Sequence, residues 1–509
     1  MKLSQIHLGN IDAKNELLSD TPEERERFLE SFEVPPNLHV DWYLKKQRYF
    51  VTGLKGTGKT ALLRYLALQA EEESCTKTSF VLFKSDIDED FRKGFTQAAR
   101  RSVTDNNTET ISNDDYEYVW RWFIYRKLVS LVENDGINLF QLNSIYSEFK
   151  AIVRSPSNSS EEDKGLLSLI PKIKRGNITI SKDPSATFEF EWNDKNEATI
   201  NFNSLVRKAD EKFKELIPGD DSLNIYFDEL ELNYNSKKQY ERDAKIIRDV
   251  IVTVNKINSI SKSKHFKICI YSAIRSEVQS SVDSLGKEIN KILSDFGTEI
   301  MWNRPGIDAS QQPLLNIVNK RLRSSSSSSV KSLSDECLWT HYFPNQIQNK
   351  TSKEYILHNS WYRPRDIVRL LKTAQDQYPE EDSFKHYIFD AIRKKYSELS
   401  WVEITEELKS RYKGEEISSI KRLLYGGKQH FTFFELKERT EKLKEFYPDV
   451  TCLLENHNIP KILSDLYRVG AVGNINDGRL RFSFRGDHEI LLEQTCFLHN
   501  ALKAHLSAT

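Results

Sequence analysis

Short apolar runs, each bounded by polar or turn residues, punctuate the first three hundred positions of the chain. Arg48 to Thr52, Phe80 to Phe83, Asn224 to Phe227, Phe266 to Tyr271 and Glu299 to Trp302 have the length of buried strands. Between them the spacing changes to that of helices. Leu62, Leu63, Leu66 and Leu68 line a helix over Ala61 to Ala70, and Tyr116 to Val132 is aromatic-rich and helical. Ile247, Val250, Ile251, Val254 and Ile257 recur every three or four residues, and a further helix is expected near Arg365 to Lys372. Strands alternating with helices predict an α/β fold, a parallel sheet sandwiched by helices.

After about residue 376 the pattern becomes helix-rich, with helical spacing near 382–398, 401–412 and 433–446, then Ile459 to Arg468. Val472 to Phe484 reads as two short strands about Asn476-Asp477-Gly478, and Glu489 to Leu506 as a closing amphipathic helix. Helices followed by a hairpin predict a winged-helix-like domain. Three segments break the pattern: Ser155 to Lys164 reads as a polar linker, and Thr187 to Phe202 as a hairpin made of FEFEW and EATINF. Arg321 to Lys331, with six consecutive serines, reads as a loop. The expected division is an N-terminal cap (1–47), an α/β core (48–310) with an insertion at 88–218, a helical lid (311–375) and the C-terminal domain (376–509).

Composition narrows the function classes. With 509 residues, more than one domain is expected. Lys plus Arg (74) balances Asp plus Glu (75), so neither nucleic acid nor an anionic membrane is required as partner. The five cysteines form no CxxC pair, which removes a zinc site or disulfide framework and suits reduced thiols. No signal-peptide-like stretch and no run of roughly 18 apolar residues is seen, so a cytoplasmic protein without a membrane anchor is expected.

The chemistry concentrates in GLKGTGKT, Gly53 to Thr60, which fits G-x-x-x-x-G-K-[ST]. Its glycines free the backbone to turn N–H groups toward a β-phosphate, and the helix that follows presents its positive end. Gly53, Leu54, Lys55, Gly56, Thr57, Gly58, Lys59, Thr60 and Ala61 are therefore the candidate nucleotide-binding residues. Lys59 reaches the β/γ-phosphate oxygens, and Thr60 gives its hydroxyl to Mg²⁺. The strand NIYFDELE ends in an acidic pair: Asp228 as second metal ligand, Glu229 as general base toward the attacking water. Ser272, at the expected end of FKICIY, and Arg365, at the start of the lid helix, are candidate γ-phosphate sensors; Arg275 is a neighbour of the first. The plainer readings are an ordinary strand end for Ser272 and an ion pair with Asp366 for Arg365. Arg304, Arg321 and Arg323 are candidate arginine fingers. Arg479, Arg481 and Arg485, alternating with Phe482 and Phe484, suit either a nucleic-acid backbone or a solvated edge over a core. No NKxD, LSGGQ-like or HExxH sequence is present.

GLKGTGKTALLRYLA, IYFDELE and WYRPRDIVRLL together resemble the additional-strand Glu-containing P-loop ATPases, and within them the AAA+/STAND-like and KAP-like ATPases of prokaryotes. LGNIDAKNE and LHVDWYL resemble a bacterial branch of that group. The resemblance implies ATP rather than GTP, Mg²⁺, a nucleotide-gated switch and a homo-oligomer. It also implies the first and second sensor roles for Ser272 and Arg365. Many members of the group act in anti-phage defence or DNA transactions beside a separate effector such as a nuclease. An ATP-driven switch that assembles with itself or an effector is the leading expectation. An initiator-like ATPase that engages DNA through the winged helix is the alternative.

Overall fold

The computed structural model describes residues 1–17, 19–86, 89–101, 116–154, 177–181, 197–232, 237–283, 286–326, 328–476, 478–487 and 489–509. The chain divides into two units. One comprises His39–Gly53 and Leu62–Glu299; the other comprises Met1–Leu38, Leu54–Ala61 and Ile300–Thr509.

The first unit is built on a parallel sheet. Among the described residues its strands are β1 (Phe50–Gly53), β2 (Lys77–Leu82), β3 (Asn177–Ser181), β4 (Glu197–Asn201), β5 (Leu223–Leu230), β6 (Ile268–Arg275) and β7 (Gly297–Glu299). Five of them form the central sheet in the order β2-β5-β6-β1-β7, every pair parallel. The chain is therefore α/β, as expected. β5 and β6 are buried along nearly their whole length, which explains the apolar runs Ile225–Phe227 and Ile268–Tyr271 within them: both faces of a parallel sheet are covered. The long helix Lys237–Ser263 packs on β6. The aromatic segment after position 116 forms the helix Glu117–Asn134, and Trp120 meets Phe227 of β5 edge to face at 5.6 Å. Part of the expected insertion thus supplies core to the sheet.

Two expectations in this unit change. The strand holding Ser272 runs on through Arg275, so Ser272 lies within β6 and not at its tip. The described partner of EATIN is β3, Asn177–Ser181; the FEFEW half of the expected hairpin lies outside the described residues, as does the linker at 155–164.

The second unit is helical, with two small sheets. β8 (Gln346–Ile347) and β9 (Lys350–Thr351) form a hairpin. β10 (His430–Phe431), β11 (Val472–Asn476), β12 (Arg479–Arg481) and β13 (Thr495–Leu498) form an antiparallel sheet in the order β10-β13-β11-β12. β11 and β12 pair antiparallel with Asn476 opposite Arg479, as expected of the two strands, while Asp477 of the expected turn lies outside the described residues. The closing helix expected over Glu489 to Leu506 is not formed. Thr495–Leu498 instead pairs with β11, an apolar run short enough to satisfy either period. The serine run, expected as a loop, is partly helical: helix Asn316–Ser325 extends into it and a short helix, Ser328–Lys331, follows, while Ser327 lies outside the described residues. The hydroxyls of Ser324, Ser325 and Ser326 donate back to the carbonyls of Arg321 and Leu322, which lets serines continue a helix. Predicted helices at 382–398 and 401–412 merge into one, His386–Leu408. Among the described residues no helix is long and apolar enough to cross a membrane.

Two consecutive left-handed residues, Trp361 (φ 44°) and Tyr362 (φ 52°), precede the lid helix Pro364–Gln377. Their conformation is held by the C-terminal sheet. Trp361 Nε1 donates to Gly470 O at 2.8 Å and its ring stacks on His499 at 3.9 Å, while Tyr362 lies under the Arg485 guanidinium. Burial holds His499 well below the ordinary histidine range, and Arg485 and Arg363 push it the same way. His358 is pushed down to about 4, by burial first and then by Lys350 and Arg485. Both imidazoles are neutral in folded and unfolded chain above the unfolded pKa of about 6.5. Below it the unfolded chain binds protons that the fold refuses, so stability present at neutral pH is lost as pH falls from about 6.5 towards 4. The thermal midpoint is expected to drop between pH 7.5 and pH 5, and His358→Gln to flatten that slope. An unchanged slope in the variant removes His358 as a cause.

Candidate functional site

The glycine-rich loop leaves β1 at Gly53 and enters the helix Lys59–Ser74. Gly56 (φ 83°) and Gly58 (φ 95°) are left-handed, a conformation glycine adopts without cost. At Gly56 a Cβ would also stand 3.3 Å from that of Arg365. The loop is braced from within: Thr57 Oγ1 and Lys59 Nζ both donate to Leu54 O, at 2.9 and 2.8 Å. Trp302 Nε1 donates to Thr57 O at 2.9 Å, and the Arg365 amide donates to Gly56 O at 3.3 Å. Lys59 is buried at the first position of its helix. A left-handed glycine loop feeding a helix N-terminus, with a buried lysine there, suits a phosphate chain.

Basic residues of the loop and lid meet carboxylates from the helix His386–Leu408. Glu403 lies 3.0 Å from Lys55, 3.2 Å from Arg369 and 3.9 Å from Arg365. Glu407, one turn on, pairs with Arg363 at 3.1 Å. Burial pushes the Glu403 carboxyl up, but Lys55 and Arg369 outweigh it and hold it below the ordinary range. Asp366 is raised by burial, and its ion pair is with Arg369 at 3.0 Å. Arg365 therefore touches the loop and Glu403, not Asp366.

Arg304, Arg321 and Arg323 have local partners in this same unit. Arg304 donates to Pro36 O at 2.5 Å, Arg321 to Leu8 O, and Arg323 to Asp335 at 2.5 Å. Of the hairpin arginines, Arg481 pairs with Asp487 at 3.1 Å and Arg485 lies over Tyr362, while Arg479 is exposed.

Asp228, Glu229 and Ser272 stand on the central sheet of the other unit. Asp228 is 3% exposed and in register with Leu82 on β2. Beyond Phe227 the pairing of β5 with β6 slips, and Glu229 takes φ 56°. A bulge of this kind re-aims a side chain at a strand end. The Glu229 amide donates to Asp228 Oδ1 at 2.8 Å, and Ser85 Oγ donates to Glu229 Oε2 at 2.7 Å. Glu231 bridges Lys84, at 3.1 Å, and Arg275. Ser272 is fully buried, in register with Phe50 and Phe227, and its Oγ has no hydrogen-bond partner among the described residues.

Burying an unpaired hydroxyl costs stability, so Ser272→Ala is expected to leave the thermal midpoint unchanged or to raise it. A clear fall would show that the hydroxyl is bonded in the resting chain.

Ser85, Trp302, Glu403 and Glu407 were not singled out from sequence. Only the last two carry a signal there: their i, i+4 spacing in WVEITEEL puts both carboxylates on one helix face.

Residues 312–405 match a family described as the FunZ-associated C-terminal helical domain. That segment holds the lid helix and most of His386–Leu408, including Arg365, Arg369 and Glu403. No curated protein matches the chain. Among solved structures it is similar to Cdc6p from Pyrobaculum aerophilum, at 11% identity and a TM-score of 0.31, covering 95% of this chain and 96% of that one. A score that low does not define a shared fold.

Proposed function

We propose that this chain is a P-loop ATPase of the AAA+/STAND-like kind, a switch that binds and hydrolyses ATP with Mg²⁺ and whose ATP-bound form assembles with further copies or with an effector protein. The observation that carries the reading is the loop after β1, with left-handed Gly56 and Gly58 leading directly into a helix that starts at the buried Lys59. Its main-chain N–H groups and helix end bind phosphate oxygens, and Lys59 supplies the point charge.

The motif assigns Thr60 and Asp228 to the metal. Mg²⁺, when bound, neutralises charge on the phosphate oxygens during transfer. Glu229 orients the attacking water and takes its proton, with Ser85 fixing the carboxylate. Ser272 and Arg365 are assigned the two sensor roles. The contact of Arg365 with Gly56 supports the second, because a lid residue at the loop responds to what the loop holds. In the first role, Ser272→Ala lowers turnover without lowering the thermal midpoint.

Helices followed by an antiparallel sheet support the winged-helix-like reading of 376–509. Engagement of Arg481 and Arg485 within the chain weighs against a DNA-reading hairpin and for a protein-packing module. A role in anti-phage defence beside a nuclease-type effector, in the cytoplasm, rests on the motif resemblance alone.

Size exclusion of the purified chain with no nucleotide, with ADP and with ATP tests the switch. A larger species confined to the ATP run is expected. Superimposable profiles in all three remove assembly with itself, and absence of Mg²⁺-dependent phosphate release removes hydrolysis by the chain alone.

A further inference from the structure

We infer that Glu403 is a latch: its carboxylate holds Lys55 of the loop and Arg365 of the lid, and nucleotide phosphates must displace it to recruit them. The inference rests on the reading of Gly53–Ala61 as the nucleotide site and adds to it a residue that competes with phosphate for its cations.

The geometry separates the three cations around this carboxylate. Arg369 is almost fully buried and has a second partner, Asp366, so it remains with the lid when Glu403 leaves. Lys55 and Arg365 are different. Lys55 lies within the glycine loop, its side chain 14% exposed and 3.0 Å from Glu403. Arg365 donates its amide to the loop at Gly56 O, and its guanidinium reaches Glu403 at 3.9 Å. An anion placed among these cations does electrostatically what a phosphate would do, but it is tethered to the helix His386–Leu408. Phosphate binding and seating of that helix therefore compete for the same positive charges. Loss of the Glu403 contacts leaves the Arg363–Glu407 pair as a pivot one turn farther along the helix. In this way occupancy of the loop is reported to the C-terminal half of the unit.

The test compares wild type, Glu403→Gln, Lys59→Ala and Glu406→Gln. Glu406 is an exposed residue of the same helix, paired with Lys409, and serves as surface control. Binding of ATP and of ADP is measured by calorimetry in Mg²⁺, and hydrogen exchange over 386–408 is followed without nucleotide. Glu403→Gln is expected to bind ATP about tenfold more tightly, since a partly buried ion pair no longer has to be broken. Without nucleotide its helix is expected to exchange faster than wild type, at the rate wild type reaches once ATP is added. Glu406→Gln is expected to match wild type in both. Lys55→Gln breaks the pair from the loop side and gives the fast exchange without tighter binding, which covers the case of a misfolded Glu403 variant. If wild type binds ATP, Lys59→Ala does not, and Glu403→Gln binds no more tightly, the latch is wrong while the nucleotide site stands. If wild type binds no nucleotide, both fall.

Discussion

Lys59→Ala is expected to weaken ATP binding by about a hundredfold or more. Its ammonium is buried at the first position of the helix Lys59–Ser74, where it donates to the Leu54 carbonyl. Removing one partner of a desolvated charge pair costs about 2–5 kcal/mol, and about 2.7 kcal/mol is a hundredfold in affinity. No neighbour takes its place: Lys55 lies in the loop and Arg365 in the lid, and neither stands at the first position of that helix. Lys59→Arg is expected to rescue little, because a planar guanidinium on a longer stem does not fit a place braced for a compact point charge. The fold is expected to tolerate both changes, since Thr57 and Trp302 still brace the loop. Calorimetric titration of ATP into each variant decides it. An affinity for Lys59→Ala within threefold of wild type would place the phosphates elsewhere.

How much of this was legible beforehand depends on whether each feature is local. The strand–loop–helix around Gly53–Thr60 was readable because glycine, lysine and apolar positions at fixed offsets all act within a few residues. The core strands were readable for the same reason: a strand covered on both faces carries a continuous apolar stretch, as Ile225–Phe227 in β5 and Ile268–Tyr271 in β6 do. Their order in the sheet was not, since parallel pairing joins β2 to β5 across some 150 positions and nothing local encodes it. The helical part of the serine run was not legible, because the hydroxyl bonds back to preceding carbonyls exist only once the helix has formed. Thr495–Leu498 misled because a short apolar run next to helical spacing is ambiguous until its partner β11 is known. At the candidate site, residue types were visible and conformations were not. No pattern announces that Glu229 would be left-handed, that β6 would run past Ser272, or that Trp361 and Tyr362 would be held in a strained pair. These departures from local preference fall beside the proposed chemistry and the proposed lid, where strain is most often retained.

Glu229→Gln is expected to lower Mg²⁺-dependent ATP turnover by about 10²- to 10⁴-fold while leaving ATP affinity within about threefold of wild type. The substitution isolates the proton-accepting function. Glutamine has the same shape, its carbonyl oxygen still accepts from Ser85 Oγ, and the left-handed backbone is no more strained than with glutamate. What is lost is basicity: a neutral amide does not take a proton from water. Ser85→Ala should then cost less, about tenfold, because it frees the carboxylate to reorient without removing it. The two variants distinguish a reacting group from a merely structural one. A bulge-supporting role for Glu229 would make Ser85→Ala and Glu229→Gln alike and lower the thermal midpoint with turnover. A base role separates them in rate and leaves the midpoint in place. Phosphate-release rates, nucleotide titrations and melting curves on the same three preparations read all of this. Retention of more than a tenth of wild-type turnover by Glu229→Gln would end the assignment and move the search for the base to the other carboxylates at the carboxyl edge of β5.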